Sequence, residues 1–406
     1  MLEKSDATSK RTPARRNHRG ATALLAATVT TALAAPARSM EPATDAATGD
    51  QLKLLERTSS SAYQKAFRDD DLNAWRKRVP RTTVVRIPSS VDRTKQRAVW
   101  YQSGSSRKKP LLVVLHSWSA DYEQNLNIPY AEFAIANDWV FVHPDFRGPN
   151  LRPEATASQV ALRDVMDVVS FARKRASVDP ARIYLVGYSG GAMKALVLAG
   201  RYPDVWAGIA AWGPIYDIVD WYHHNRGRDA HYTRAITASC GGPPLPGTAA
   251  EAECRARSPL AHLDGAAGRV PILLAHGIRD TTVPPRHALR AYDHLAAAPD
   301  RFTQAQRAAI DGQGKLPPEL QRPDAGALGG GDPLGGRIAA LFREAGLPLL
   351  LERQSSKVSL ALYDGDHDMA YNPTLQWLSQ QRRQELAQDD KNDGRNGRPS
   401  PLLPGR

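Results

Sequence analysis

From about residue 82 the chain alternates short apolar runs with longer amphipathic stretches. The runs are 82–87, 98–101, 111–115, 140–143, 182–186, 207–211, 271–275 and 358–363. Several, such as Leu111-Leu-Val-Val-Leu115, are unbroken rather than alternating. Unbroken runs of that length predict strands covered on both faces, as in a parallel sheet. Helices are predicted between them over 130–137, 157–176, 191–202, 285–298 and 373–387. The second has the clearest apolar stripe: Val160, Leu162, Val165, Val168, Val169 and Ala172. Strands alternating with helices imply an α/β architecture, a mostly parallel sheet with helices on both faces.

Two stretches break the alternation. Residues 214–260 hold Trp221, Tyr222, three histidines and both cysteines, and 299–350 are rich in Pro and Gly. Both are expected to be insertions at the rim of the sheet. The catalytic domain is expected over 82–388, with an N-terminal extension over 35–81 that has a helix-like stretch around Leu52 to Arg76. From 389 to 406 the chain is polar with Pro and Gly, and disorder is expected there.

Residues 1–34 read as a signal peptide. A basic region ends at Arg19, a small apolar run follows, and Ala32-Leu33-Ala34 offers a cleavage site. The run is about 14 residues, against the roughly 20 that a membrane span needs. A secreted or periplasmic protein without a stable membrane anchor is therefore expected. This segment carries six basic and two acidic residues, a surplus of +4 within the chain's +12. The remaining basic residues are scattered among acidic ones, a solvated surface rather than a nucleic-acid footprint. Cys240 and Cys254 are the only cysteines. They can close one disulfide loop in an oxidising compartment, and they leave no thiols for a structural zinc site.

The chemistry concentrates in three places. Gly187-Tyr188-Ser189-Gly190-Gly191 directly follows a predicted strand and opens a predicted helix. G-x-S-x-G in that context is a turn that lifts a serine above the sheet edge. A serine hydroxyl needs a base, and His367 follows the last strand, in Gly365-Asp366-His367-Asp368. The base needs a carboxylate to fix its tautomer. Asp280 lies on the loop leaving the strand 271–275, in His276-Gly-Ile-Arg-Asp-Thr-Thr-Val-Pro284. Asp366 and Asp368 are rivals for that role, set aside because they adjoin His367 in sequence. The order Ser, Asp, His is that of α/β-hydrolases. An oxyanion hole is expected from the backbone N–H groups of Gly190 and Trp118, the latter in the loop after 111–115.

Residues 82–386 resemble the catalytic domain of the prolyl oligopeptidase-like serine hydrolases. The likeness rests on G-Y-S-G-G at 187–191, H-G-I-R-D-T-T-V-P at 276–284 and G-D-H at 365–367. Arg257-Ser-Pro-Leu260 and Asp145-Phe-Arg-Gly148 also fit. The resemblance implies an α/β-hydrolase fold with Ser189, Asp280 and His367 as triad. Members that cleave peptides carry a large N-terminal propeller, whereas here about fifty residues lie between the expected cleavage site and the first core strand. The leading expectation is therefore a carboxylic-ester hydrolase. The alternatives are a serine peptidase acting on short peptides and an inactive binding module. No metal or organic cofactor is expected, and the expected partner is a small ester or short peptide.

Overall fold

The computed structural model describes residues 52–56, 58–61, 71–321 and 334–383. The expected signal peptide, most of the extension and the tail 389–406 lie outside those residues. Among the described residues, nine strands form one sheet: β1 (Thr83–Pro88), β2 (Lys95–Tyr101), β3 (Lys109–Leu115), β4 (Val140–Pro144), β5 (Val178–Tyr188), β6 (Gly208–Trp212), β7 (Ile272–Gly277), β8 (Leu349–Ser355) and β9 (Val358–Tyr363). Their order is β1-β2-β4-β3-β5-β6-β7-β9-β8. The six strands from β4 to β9 in that order are parallel, and β1, β2 and β8 run antiparallel at the two ends.

The unbroken runs mean what the pattern implied. In β3, Leu111, Val113 and Leu115 enter one core while Leu112 and Val114 enter the other. In β5, Ile183 and Leu185 oppose Tyr184 and Val186 in the same way. Each face is covered by helices, numbered here in chain order. They are α1 (Leu72–Arg78), α2 (Ile128–Ala136), α3 (Gln159–Arg175), α4 (Gly190–Arg201), α5 (Ile218–Asn225), α6 (Ala230–Cys240), α7 (Ala249–Ala256), α8 (Arg286–Leu295), α9 (Gln304–Gln313), α10 (Gly336–Glu344) and α11 (Tyr371–Ser379). Helices α3, α4 and α8 pack on one face, and α1, α2, α10 and α11 on the other.

Helix α3 illustrates why these segments are helical. Ser158 caps it by accepting the Ala161 N–H, its last turn is basic, and Leu162, Val165, Val168, Val169 and Ala172 are buried at helical spacing. Val160, expected on that face, is only half-buried.

Three expectations need correction. Strand β8 starts inside the stretch read as an insertion. It is an edge strand whose burial alternates, so it lacks the continuous apolar run of its neighbours. The insertion 214–260 holds three helices, α5 to α7. The helix expected over 373–387 ends at Ser379. The helix-like stretch from Leu52 is not helical at Leu52–Leu55, and its helical part among the described residues is short, Ser60–Ser61 and α1.

Candidate active site

Ser189, Asp280 and His367 follow β5, β7 and β9, all at the carboxyl edge of the parallel strands. Ser189 sits at the cap of α4 with φ 56° and ψ −121°. A non-glycine residue in that region is strained, and a sharp strand-to-helix turn is what holds it there. The glycines around it are demanded by close backbone approach. A methyl at Gly187 would lie 2.3 Å from the Gly191 carbonyl oxygen, and one at Gly191 would lie 2.7 Å from the His116 carbonyl oxygen. A methyl at Gly190 would lie 2.8 Å from the Trp118 nitrogen. The two expected oxyanion donors, the Gly190 and Trp118 N–H groups, therefore come from backbones in van der Waals contact. Trp118 N–H has no hydrogen-bond partner among the described residues.

Asp280 is buried and fully engaged. Its Oδ1 accepts the Thr282 and Val283 N–H groups at 2.9 and 2.8 Å. Its Oδ2 lies 2.6 Å from His367 Nδ1 and 3.2 Å from His276 Nε2. Burial pushes the carboxyl pKa up, but the charge of His367 and the hydrogen bonds from His276 and His367 outweigh it. The net effect holds Asp280 well below the usual carboxylate range. His367 and Ser189 border the same corner. Ser189 N–H donates to the Trp212 carbonyl at 2.8 Å. A methyl on the next residue, Gly213, would lie 3.0 Å from His367 Cε1. The Tyr188 ring lies 4.8 Å from the His367 ring, and its hydroxyl donates to the His367 carbonyl at 2.9 Å.

The rival carboxylates have other work. Asp366 accepts the N–H groups of Thr281 and His367, at 3.2 and 2.8 Å, and so joins the acid and histidine loops. Asp368 accepts the Ser60 hydroxyl and, at 3.0 Å, the Ser61 N–H, pinning the histidine loop to the N-terminal extension.

Cys240 and Cys254 form a disulfide joining α6 to α7. The insertion those helices belong to reaches the front edge. The Trp221 ring meets the Trp118 ring edge-on at 4.8 Å, and Trp221 Nε1 donates to the Thr282 carbonyl at 2.8 Å. Trp212, Tyr216, Trp221 and Tyr222 are all buried, so these aromatics belong to the core.

Sequence reasoning missed His276 as a neighbour of Asp280. Its Nε2 lies 2.8 Å from the Val283 carbonyl, which makes that nitrogen the protonated one and directs its hydrogen between two acceptors. The signal was its spacing of four residues before the acid. It also missed Asn150 and Lys194, which lie behind the Trp118 loop. No described group of side chains could hold a metal ion, and no described helix is long and apolar enough to cross a membrane.

A model of the prolyl oligopeptidase family matches residues 131–308, a segment that contains Ser189 and Asp280. Among curated proteins, poly(3-hydroxyalkanoate) depolymerase C of Paucimonas lemoignei is 30% identical over 126 residues, 28% of this chain and 30% of its own. Pyrrolizixenacetamide deacetylase of Xenorhabdus hominickii is 31% identical over 98 residues, 24% of this chain and 35% of its own. The chain thus spans about a third of the length of these relatives. An acylaminoacyl peptidase structure from Pyrococcus horikoshii is similar at 18% identity and TM-score 0.42, over 53% of this chain and 34% of that one.

Proposed function

We propose that this chain, whose residues 131–308 match the prolyl oligopeptidase family model, is an exported serine hydrolase cleaving carboxylic esters through an acyl-enzyme. The observation that carries the reading is the pairing of a strained serine at φ 56° with a histidine held at 2.6 Å by a buried carboxylate, all on one sheet edge. Ser189 Oγ attacks the acyl carbonyl while His367 Nε2 takes its proton. Asp280 holds Nδ1–H and stabilises the imidazolium. The Gly190 and Trp118 N–H groups receive the oxyanion, and the alcohol leaves with the proton from His367. Water then repeats the sequence on the acyl-enzyme and releases the acid. The basic, small-apolar segment 1–34 supports export. Similarity to a depolymerase and a deacetylase supports acyl transfer to water.

Cleavage of short peptides is the second reading, favoured by the family match itself. Amide cleavage needs the leaving nitrogen protonated and the scissile bond held in register. The test is kcat/KM for short-chain and sugar esters against unblocked peptides, with Ser189→Ala as control. Esters are expected to lead, and Ser189→Ala to lose about 10³-fold or more in kcat. A natural peptide cleaved faster than every ester tested would reverse the order of the two readings. Near-normal turnover by Ser189→Ala would remove both.

A further inference from the structure

We infer that Lys194 is a positioning residue for the oxyanion loop: through Asn150 and Phe146 it fixes the Trp118 peptide against the nucleophile turn. The inference rests on the hydrolase reading above and concerns how its oxyanion hole is held.

Lys194 lies one helical turn past Ser189 on α4 and is 1% exposed. Around it the helix reads Ala192-Met-Lys-Ala-Leu-Val-Leu-Ala199, so a lysine is out of place. Its Nζ donates to Asn150 Oδ1 at 3.0 Å and sits 4.2 Å from the centre of the Phe146 ring. Burial pushes this amine well below its usual pKa, with Asp145 pulling it back.

Both contacts lead to the same loop. Asn150 N–H donates to the Trp118 carbonyl at 2.9 Å. The Phe146 ring stacks on the His116 ring at 4.0 Å and 2°. On the loop's other side, Ser117 N–H donates to Gln124 Oε1 at 2.9 Å. The peptide that carries the Trp118 N–H is therefore clamped at its neighbours. Lys194 stiffens one jaw of that clamp.

A purely structural role does not explain a lysine here. Asn150 Oδ1 already accepts the Thr156 N–H at 2.9 Å, so it is satisfied without the amine. An apolar side chain of equal length would fill the site without the cost of burying a polar group. What the amine adds is direction. It sets the plane of the Asn150 side chain and the seat of Phe146.

The test is Lys194→Met, which keeps length and loses the donor. Thermal midpoint is expected to hold or rise. Turnover per active site, counted by organophosphate labelling of Ser189, is expected to fall about tenfold to a hundredfold, somewhat less than removal of one oxyanion donor. KM for a short-chain ester is expected to stay within about twofold, because ground-state binding does not use the oxyanion hole. Asn150→Asp keeps Oδ1 and is expected to retain turnover, whereas Asn150→Ser is expected to lose it as Lys194→Met does. If Lys194→Met does not fold, the two Asn150 variants answer the question. Wild-type turnover per labelled site in Lys194→Met or Asn150→Ser overturns the inference. An active Ser189→Ala instead overturns the hydrolase reading on which it rests.

Discussion

In the proposed active site, the nucleophile half of the front edge and its acid–base half are held by different forces. Around Ser189 the positions are set by backbone packed against backbone. Gly187, Gly190 and Gly191 each leave no room for a methyl, and Ser189 itself carries the strain of a positive φ. Around Asp280 the loops also approach closely, at Gly277, but the reacting atoms are side-chain atoms aimed by hydrogen bonds. Four groups converge on one carboxylate: two backbone N–H groups, His367 and His276. The first half should therefore be sensitive to volume and the second to charge. Variants that change one property at a time separate the two.

The largest effect is expected on the second half. Asp280→Asn conserves volume and removes the charge that holds the His367 tautomer, so kcat is expected to fall about 10⁴-fold. Asp366→Asn, which touches only backbone N–H groups, is expected to cost far less. A crippled Asp366→Asn beside a healthy Asp280→Asn would mean the acid is misplaced. The charge also has a stability signature. Asp280 is held below its usual pKa, so the folded protein binds fewer protons there than the unfolded chain. Its contribution is present above the unfolded value of about 3.9 and is lost as pH falls toward the lower folded value. Stability of the wild type is expected to decline more steeply below about pH 4 than that of Asp280→Asn. Parallel pH curves for the two would remove the electrostatic account.

How legible each half is in the sequence follows from the same difference. The elbow is a local pattern: an apolar strand, G-x-S-x-G, then a helix, so five consecutive residues carry it. Asp280 and His367 are legible because each follows a predominantly apolar strand run. The supports are not. Asn150, Lys194 and Asp368 are of types that most often lie in solvent, His276 of a type intermediate in burial, and only long-range packing buries or engages them. Lys194 leaves a trace, as a charge inside an apolar helix, and His276 leaves one in its spacing of four residues before the acid. Strand β8 hid for a related reason: half of an edge strand faces water, and Leu349-Leu-Leu-Glu-Arg-Gln-Ser355 reads as amphipathic in more than one way. The helices of the insertion were masked by aromatics and histidines that gave no clear period.

A smaller effect is expected from the bridge between α6 and α7. Its cysteines are 14 residues apart, and closing a loop of that length contributes about 3 kcal/mol in the chain-entropy model. Ser239, beside Cys240, donates to the Asn150 carbonyl at 3.0 Å. Replacing both cysteines with serine is therefore expected to lower the unfolding midpoint and to loosen the nucleophile half first. The Asp280–His367 pair should be less affected. Denaturant unfolding with and without reductant checks the first part. An unchanged midpoint would show that the bridge adds nothing to stability.

The smallest and sharpest change is one methyl group. Gly187→Ala places a carbon 2.3 Å from the Gly191 oxygen, 2.4 Å from the Gly191 carbonyl carbon and 2.6 Å from the Ala192 nitrogen. All three are backbone atoms at the start of α4, so no flexible side-chain end can move aside. Overpacking of this kind costs about 1–3 kcal/mol, at times more, and here relief requires α4 to shift away from β5. That shift would carry Gly190 N–H away from Trp118 N–H, so activity should fall along with stability. Gly312→Ala is the matched control. It lies in α9, is exposed, and has nothing within 4 Å of the added carbon. There the methyl only restricts the unfolded chain and favours helix, so a gain of about 0.5–1 kcal/mol is expected. Unfolding midpoints of the two variants, measured beside the wild type, should therefore move in opposite directions. A Gly187→Ala protein as stable and as active as the wild type would mean that backbone crowding does not position the nucleophile.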